Sequence, residues 1–183
     1  GSLIPNKKLL KKPFSRLSWH EAMGIYGSDK PDLRFEMKFK DGTEIFKNSG
    51  FKAFAEVVKK GGVVKMLRVE GAAKFPRSKL DSLEELAKVY GAKGLAYIVA
   101  DKGELKSPIL KFLKEEEIAA VKKETGLKDG DIDFFSADEF NTACTALGHV
   151  RLACADEFKL RDPNVFAFCW VTDFPMFEWS KEE

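Results

Sequence analysis

Between residues 80 and 90 the apolar positions fall at Leu80, Leu83, Leu86, Ala87 and Tyr90. That spacing of three or four marks one face of an α-helix. Gly91 supplies its stop, and Ser78 or Ser82 its N-cap. The same period predicts a helix over 115–125, with Ile118 and Val121 inward. Its first residues are three acids, two lysines sit near its end, and Gly126 closes it, an order that suits the helix dipole. A long helix is predicted after a cap at Asp138, with Phe140, Cys144, Leu147, Arg151, Cys154 and Phe158 along one stripe. Near the start, Ser18 caps a short helix over 19–26, Glu21 completes a capping box and Gly27 ends it. Residues 41–48 read as a helical turn or two, and Ser107-Pro108 opens another helical stretch.

Strands are predicted over 51–58, 63–69, 94–100 and 131–136, and Leu33 to Met37 alternate as if extended. Turns fall at Gly61-Gly62, Gly71 and Asp101-Lys102-Gly103. The most apolar stretch comes at the end: FCWVTDFPMFEW, residues 168–179. Phe168, Trp170, Thr172 and Phe174 would point one way, and Cys169, Val171 and Asp173 the other. Both sides are largely apolar, the pattern of a central strand covered on both faces. Either the chain folds back over it or the covering parts are missing, because an uncovered edge of this kind aggregates.

Together these elements predict an α+β domain over about 43–159, a small, mainly antiparallel sheet with helices on one face. A doubly wound parallel sheet would require a phosphate-binding turn. Neither Gly61-Gly62 nor Gly91-Ala92-Lys93-Gly94 has that spacing.

Composition adds limits. With 44% hydrophobic and 12% aromatic residues, a packed core is expected. A net charge of +2 is not that of a dedicated nucleic-acid binder. Cys144, Cys154 and Cys169 are an odd set without a C-x-x-C pair, and only His20 and His149 accompany them. A disulfide framework and a structural zinc site are therefore not expected, the thiols are read as buried, and a reducing cytoplasm is. No apolar run is long enough to span a membrane. Gly1-Ser2 is similar to the remnant of a cleaved tag. The basic residues 3–12 are read as frayed, since Lys7, Lys8, Lys11 and Lys12 precede no apolar signal core.

Two stretches carry candidate chemistry. Between residues 59 and 79 the basic side chains outnumber the single acid, Glu70, and Phe75-Pro76 sits among them. Lys65, Arg68, Lys74, Arg77 and Lys79 are the candidate RNA contacts, against the plainer reading of a solvated face. The second stretch, YGSDKPDLR over 26–34, crowds Ser28, Asp29, Lys30, Asp32 and Arg34 around a proline. It reads either as a local salt-bridge cluster or as a substrate-facing loop. Glu115-Glu116-Glu117 and the Asp129–Asp133 turn lack the partners a metal site needs, and His149 has no carboxylate or nucleophile near it in sequence.

The YGSDKPDLR stretch closely resembles a signature of bacterial-type aspartyl-tRNA synthetases. So do YGAKGLAY at 90–97, KFL at 111–113 and WVTDFPMFE at 170–178, in the same order and at similar separations. The resemblance implies that 43–160 is the inserted GAD domain, with incomplete pieces of a class II catalytic domain at 13–42 and in the return strand, 161–183. It implies a parent that activates aspartate with ATP and magnesium and transfers it to tRNA, as a cytoplasmic homodimer. The family's F-R-D-E-like and G-x-G-x-x-R-like motifs are absent from this sequence, so no catalytic residue is carried over. The expected role of this segment is structural or auxiliary tRNA contact. The alternative is a free-standing RNA- or protein-interaction module on the GAD fold.

Overall fold

The structure, a computed structural model, describes residues 7–177. The Gly1-Ser2 reading, and Glu178 and Trp179 of the apolar stretch, lie outside the described residues. In chain order the elements are β1 (Lys8–Leu9), β2 (Ser15–Ser18), α1 (Trp19–Tyr26), β3 (Lys40–Asp41), α2 (Thr43–Phe46), α3 (Lys52–Lys59), β4 (Val63–Val69), α4 (Arg77–Val89), β5 (Ala96–Asp101), β6 (Glu104–Lys106), α5 (Glu115–Thr125), β7 (Ile132–Asp138), α6 (Phe140–Glu157), β8 (Val165–Phe166) and β9 (Cys169–Thr172).

Five strands form one sheet in the order β3-β4-β7-β5-β6, antiparallel throughout. β4 pairs with β7 along its whole length, from Val63 opposite Asp138 to Val69 opposite Ile132. The pleat sends Leu67, Val69, Ile132 and Phe134 to one face, where they pack on Leu80, Leu83 and Ala87 of α4 and on Leu147, Val150 and Cys154 of α6. It sends Val64, Met66, Ile98 and Phe135 to the other, against Phe46 of α2, Phe54 of α3 and Val121 of α5. Helices therefore cover both faces of the sheet, not one as expected. The near-continuous apolar run of β4, VVKMLRV, is the signature of burial on both sides.

Residues 51–58 were expected to be a strand and form helix α3 instead. Phe51, Phe54 and Val58 recur at helical spacing and pack toward the same core. Residues 33–37 form no strand. α4 begins at Arg77 with Pro76 at the cap position, so neither Ser78 nor Ser82 is the cap, and α6 begins after Glu139, not after Asp138. Asp138 ends β7, and its carboxylate accepts the Glu139 amide. The other caps fall as the sequence indicates. Ser18 and Glu21 form the reciprocal capping box of α1, and Gly126 closes α5 in the left-handed region.

The flanks make two short parallel pairs. β1 joins β8, so residues 8–9 are ordered rather than frayed. β2 runs beside β9, with Ser15 opposite Cys169 and Ser18 opposite Thr172. β9 was expected to be a covered central strand. Among the described residues its only partner is β2, and Trp170 is 63% exposed, with Phe168, Phe174, Met176 and Phe177 also exposed.

Candidate functional site

α1 lies along α6, and the backbone at its C-cap, Gly27, packs directly against that of Gly148 on α6. Gly27 stops α1 in the left-handed region, at φ +73°. A Cβ on Gly148 would come within 2.5 Å of the Gly27 carbonyl oxygen. Just past this contact the YGSDKPDLR segment turns back across α6 and wraps one side chain, Arg151.

Arg151 is 1% exposed. Its Nε donates to the Met37 carbonyl at 2.5 Å, and one Nη to those of Asp32 at 2.9 Å and Phe35 at 3.2 Å. The guanidinium lies 3.9 Å from the Phe35 ring centroid and 5.1 Å from that of Tyr26. Among the described residues it pairs with no carboxylate. Burial lowers its pKa to about 10, with the nearby charges of Asp32, Tyr26 and Glu36 opposing that shift. It therefore remains a buried cation at neutral pH, held by backbone carbonyls. A charge inside the apolar stripe of α6, between Leu147 and Cys154, was the sequence signal for this role.

The loop residues divide. Asp32 and Arg34 pair with each other through bonds of 2.9 and 2.6 Å. Burial pushes the Asp32 carboxyl up, but the Arg34 hydrogen bonds outweigh it and leave the pKa below the usual range. The salt-bridge reading of this stretch thus accounts for Asp32 and Arg34 alone. Ser28 accepts the Lys30 amide at 3.0 Å. The side chains of Asp29 and Lys30 make no hydrogen bond or ion pair among the described residues. With Ser28 and Asp32 they line a cleft of about 410 Å³ between α1 and α6.

One wall of that cleft is Trp19, Met23 and Tyr26, successive positions on a face of α1. The other is Asn141, Thr145, His149 and Leu152 on α6, with Arg151 beside them. His149 is stacked on Tyr90, ring planes 5° apart, and burial holds its imidazole below the ordinary pKa. Asn141, Thr145 and His149 were not anticipated as site residues. They reach the loop through the fold, more than a hundred residues apart in sequence.

The basic run does not form one patch. Lys65 is buried on the sheet face toward α6, with Nζ 2.7 Å from Asp41 and over the Phe140 ring. Arg68, on the opposite face, pairs with Asp131 at 2.7 Å and Glu70 at 3.0 Å. Lys74 and Arg77 remain exposed and Lys79 half-exposed. Arg77 pairs with Asp81, and Lys79 with Glu157. Phe75 and Phe158 stack at 5.5 Å, with Lys79 over the first ring and Lys74 over the second.

The thiols of Cys144 and Cys154 are buried, and loss of solvent pushes both up to about 12, whereas Cys169, also expected to be buried, is only partly so. No group of three or more His, Cys, Asp or Glu side chains among the described residues could hold a metal ion. No helix among them is long and apolar enough to cross a membrane.

The GAD domain family model matches residues 54–147, just over half of the chain. The chain belongs to the GAD domain family. The match runs from within α3 to the middle of α6 and takes in four of the five sheet strands and the Asn141 and Thr145 part of the cleft wall, while β3, α1 and the loop precede it and His149, Arg151 and Leu152 follow it. Similarity to curated proteins runs on through both flanks. The chain is 46% identical over 175 residues to the aspartate–tRNA(Asp/Asn) ligase of Persephonella marina, covering 95% of this chain and 29% of that one. It is 46% identical over 175 residues to the aspartate–tRNA ligase of Geobacillus kaustophilus, covering 95% and 30%. It is 44% identical over 180 residues to the aspartate–tRNA(Asp/Asn) ligase of Chlorobaculum parvum, covering 98% and 30%. The chain thus spans about 30% of the length of the curated relatives it matches.

Proposed function

We propose that this chain is the GAD-bearing segment of an aspartate–tRNA ligase, and that the segment itself serves as scaffold and auxiliary RNA contact without carrying catalytic residues. The observation that carries this reading is the pairing of β2 with β9. The chain enters and leaves the GAD domain through two adjacent parallel strands in register, the arrangement expected where a domain is inserted between neighbouring strands of another sheet. The flanks 13–42 and 161–183 then belong to the class II catalytic domain, and the edge of β9 away from β2 is where its sheet continues. Activation of aspartate needs an arginine on the ATP phosphates and carboxylates for magnesium. In this reading the rest of the parent supplies them, together with the homodimer contact of a cytoplasmic enzyme. The test is aminoacylation of tRNA with aspartate by the whole protein containing this segment. Failure to charge that tRNA would remove the reading.

The auxiliary contact falls to the exposed part of the basic run. Lys74, Arg77 and Lys79 surround the Phe75–Phe158 stack, an edge with both charge and aromatic surface. Lys65 and Arg68 act inside the fold. Titration calorimetry of the chain with tRNA should show binding that weakens steeply with salt. Heat-silent mixing at low salt would leave scaffolding alone, as would be expected of a free-standing protein-interaction module.

A further inference from the structure

The α1–α6 cleft differs from the two other large clefts in the state of its polar groups. In the cleft beside Arg68, Glu36 pairs with Lys38, Arg68 with Glu70 and Asp131, and Thr125 with Asp133, and the Lys40 side chain alone of its charged groups has no partner among the described residues. In the one beside Tyr97, Arg77 bonds Asp81 and Tyr97, and Glu84 pairs with Lys88. In the α1–α6 cleft, Asp29, Lys30, Asn141 and Thr145 have no partner among the described residues. Arg151, 1% exposed, lines the same cleft. Its Nε and one Nη are engaged by carbonyls, and its Nη1 has no hydrogen bond among the described residues. A guanidinium without a carboxylate partner, whose remaining Nη keeps solvent contact, can take an acceptor from the cleft, and an anion is the strongest one.

We propose that this cleft is a nucleotide-binding site, in which Lys30 and Arg151 hold the phosphate of an unpaired RNA nucleotide. This rests on the tRNA-ligase reading above. The other groups select the ligand. The Asp29 carboxylate repels a bare phosphate but accepts a hydrogen bond from a ribose hydroxyl. Asn141 and Thr145 offer an amide and a hydroxyl along the opposite wall to read polar edges. The Trp19 ring gives a base a surface to stack on. A ligand with an anionic group, hydroxyl donors and an aromatic face satisfies all of these together. The volume, about 410 Å³, suits a single nucleotide unit. Asp32, the other acid of the wall, is neutralised by Arg34 and does not oppose the phosphate.

The test is amide NMR of the chain titrated separately with AMP, adenosine, inorganic phosphate and a short single-stranded RNA. Saturable shifts at Lys30, Thr145 and Gly148 are expected with AMP and with the RNA. Adenosine and phosphate alone should bind at least about tenfold more weakly, as expected when one charged contact or one stacking contact is lost. Lys30→Ala and Thr145→Val, both outside the core, should weaken AMP about tenfold and about threefold while leaving the rest of the spectrum in place. Four results overturn the proposal: no saturable shift at roughly millimolar AMP, phosphate binding as tightly as AMP, variants that bind normally, or RNA shifts confined to residues 74–79. Aspartate charging by the whole protein is a separate measurement, and its outcome is independent of each of these.

Discussion

The hydroxyl oxygen of Thr125 lies 2.7 Å from a carboxylate oxygen of Asp133 and 2.9 Å from the Val121 carbonyl, and it also accepts the Leu127 amide at 3.2 Å. A threonine hydroxyl has one proton. If that proton goes to Val121, Asp133 must be the donor in the other bond, which requires a neutral carboxylic acid. Burial pushes the Asp133 pKa up to about 7, the Thr125 bond and the Arg68 charge pull it down, and the Asp131 charge adds to the rise.

The folded pKa of Asp133 exceeds the unfolded one, so the protonated acid favours folding. That contribution is complete below about pH 4 and is lost as the pH rises through 7. Between pH 5 and pH 8 it should cost about 2–3 kcal/mol of stability. The lowered carboxyls, Asp32 and Asp41 among them, act in the opposite sense at lower pH, and His149, its pKa lowered by burial, offsets part of the change within this window. Urea unfolding at the two pH values measures the difference. In Asp133→Asn, which keeps a polar partner for Thr125, most of this pH dependence should disappear.

The close contact of Gly27 and Gly148 predicts that Gly148→Ala destabilises the chain. The new methyl meets the Gly27 backbone, its O, C and Cα, so nothing flexible can yield, and a loss of roughly 2–3 kcal/mol is expected. Thermal melting reads this as a fall of about 4–12 °C. Gly61→Ala, where the added Cβ meets nothing within 4 Å, separates the effect of φ from that of contact and should cost less, about 1 kcal/mol.

Arg151→Met retains the length and loses the donors. The carbonyls of Asp32, Phe35 and Met37 would be left buried and unpaired, at about 3 kcal/mol or more in total. Hydrogen exchange should show amides in the 28–39 segment opening first, with β4 and β7 unchanged relative to the global limit. Uniform acceleration across the sheet would mean that Arg151 supports the core rather than the loop.

Removing one exposed cation of the aromatic edge, as in Lys74→Ala, should lower the slope of tRNA affinity against salt by about one unit with little change in melting temperature. Lys65→Ala is the contrast. It removes a buried ion-pair partner of Asp41 and should unfold the chain more readily without specifically changing that slope.

How much of this was legible in the sequence depended on how local the determinant was. The boundaries of α1 followed from Ser18, Glu21 and Gly27, and those of α5 from its acids and Gly126, because caps are set within a few residues. Residues 51–58 failed because Phe51, Ala53, Ala55 and Val57 fit a period of two as well as Phe51, Phe54 and Val58 fit a helix. The sheet decided between them by offering α3 a face to cover. The basic run was visible as charge, but its division was not. The pleat sends Lys65 and Arg68 to opposite faces, and only the packing on each face assigns their partners. Of the cleft, the loop residues Ser28, Asp29, Lys30 and Asp32 were named as candidates but the helix facing them was not, since only the fold joins residues 28–32 to 141–152. Arg151 stood in the sequence as a cation in an apolar stripe, but no role was read for it.

In the proposed reading this chain carries the GAD domain of an aspartate–tRNA ligase without its activating machinery. Aspartate-dependent exchange of pyrophosphate into ATP tests it most directly, run in parallel on the chain and on the whole protein that contains it. The account predicts exchange by the whole protein and none by the chain. Exchange by the chain alone at a comparable rate, or its absence from the whole protein, would contradict it.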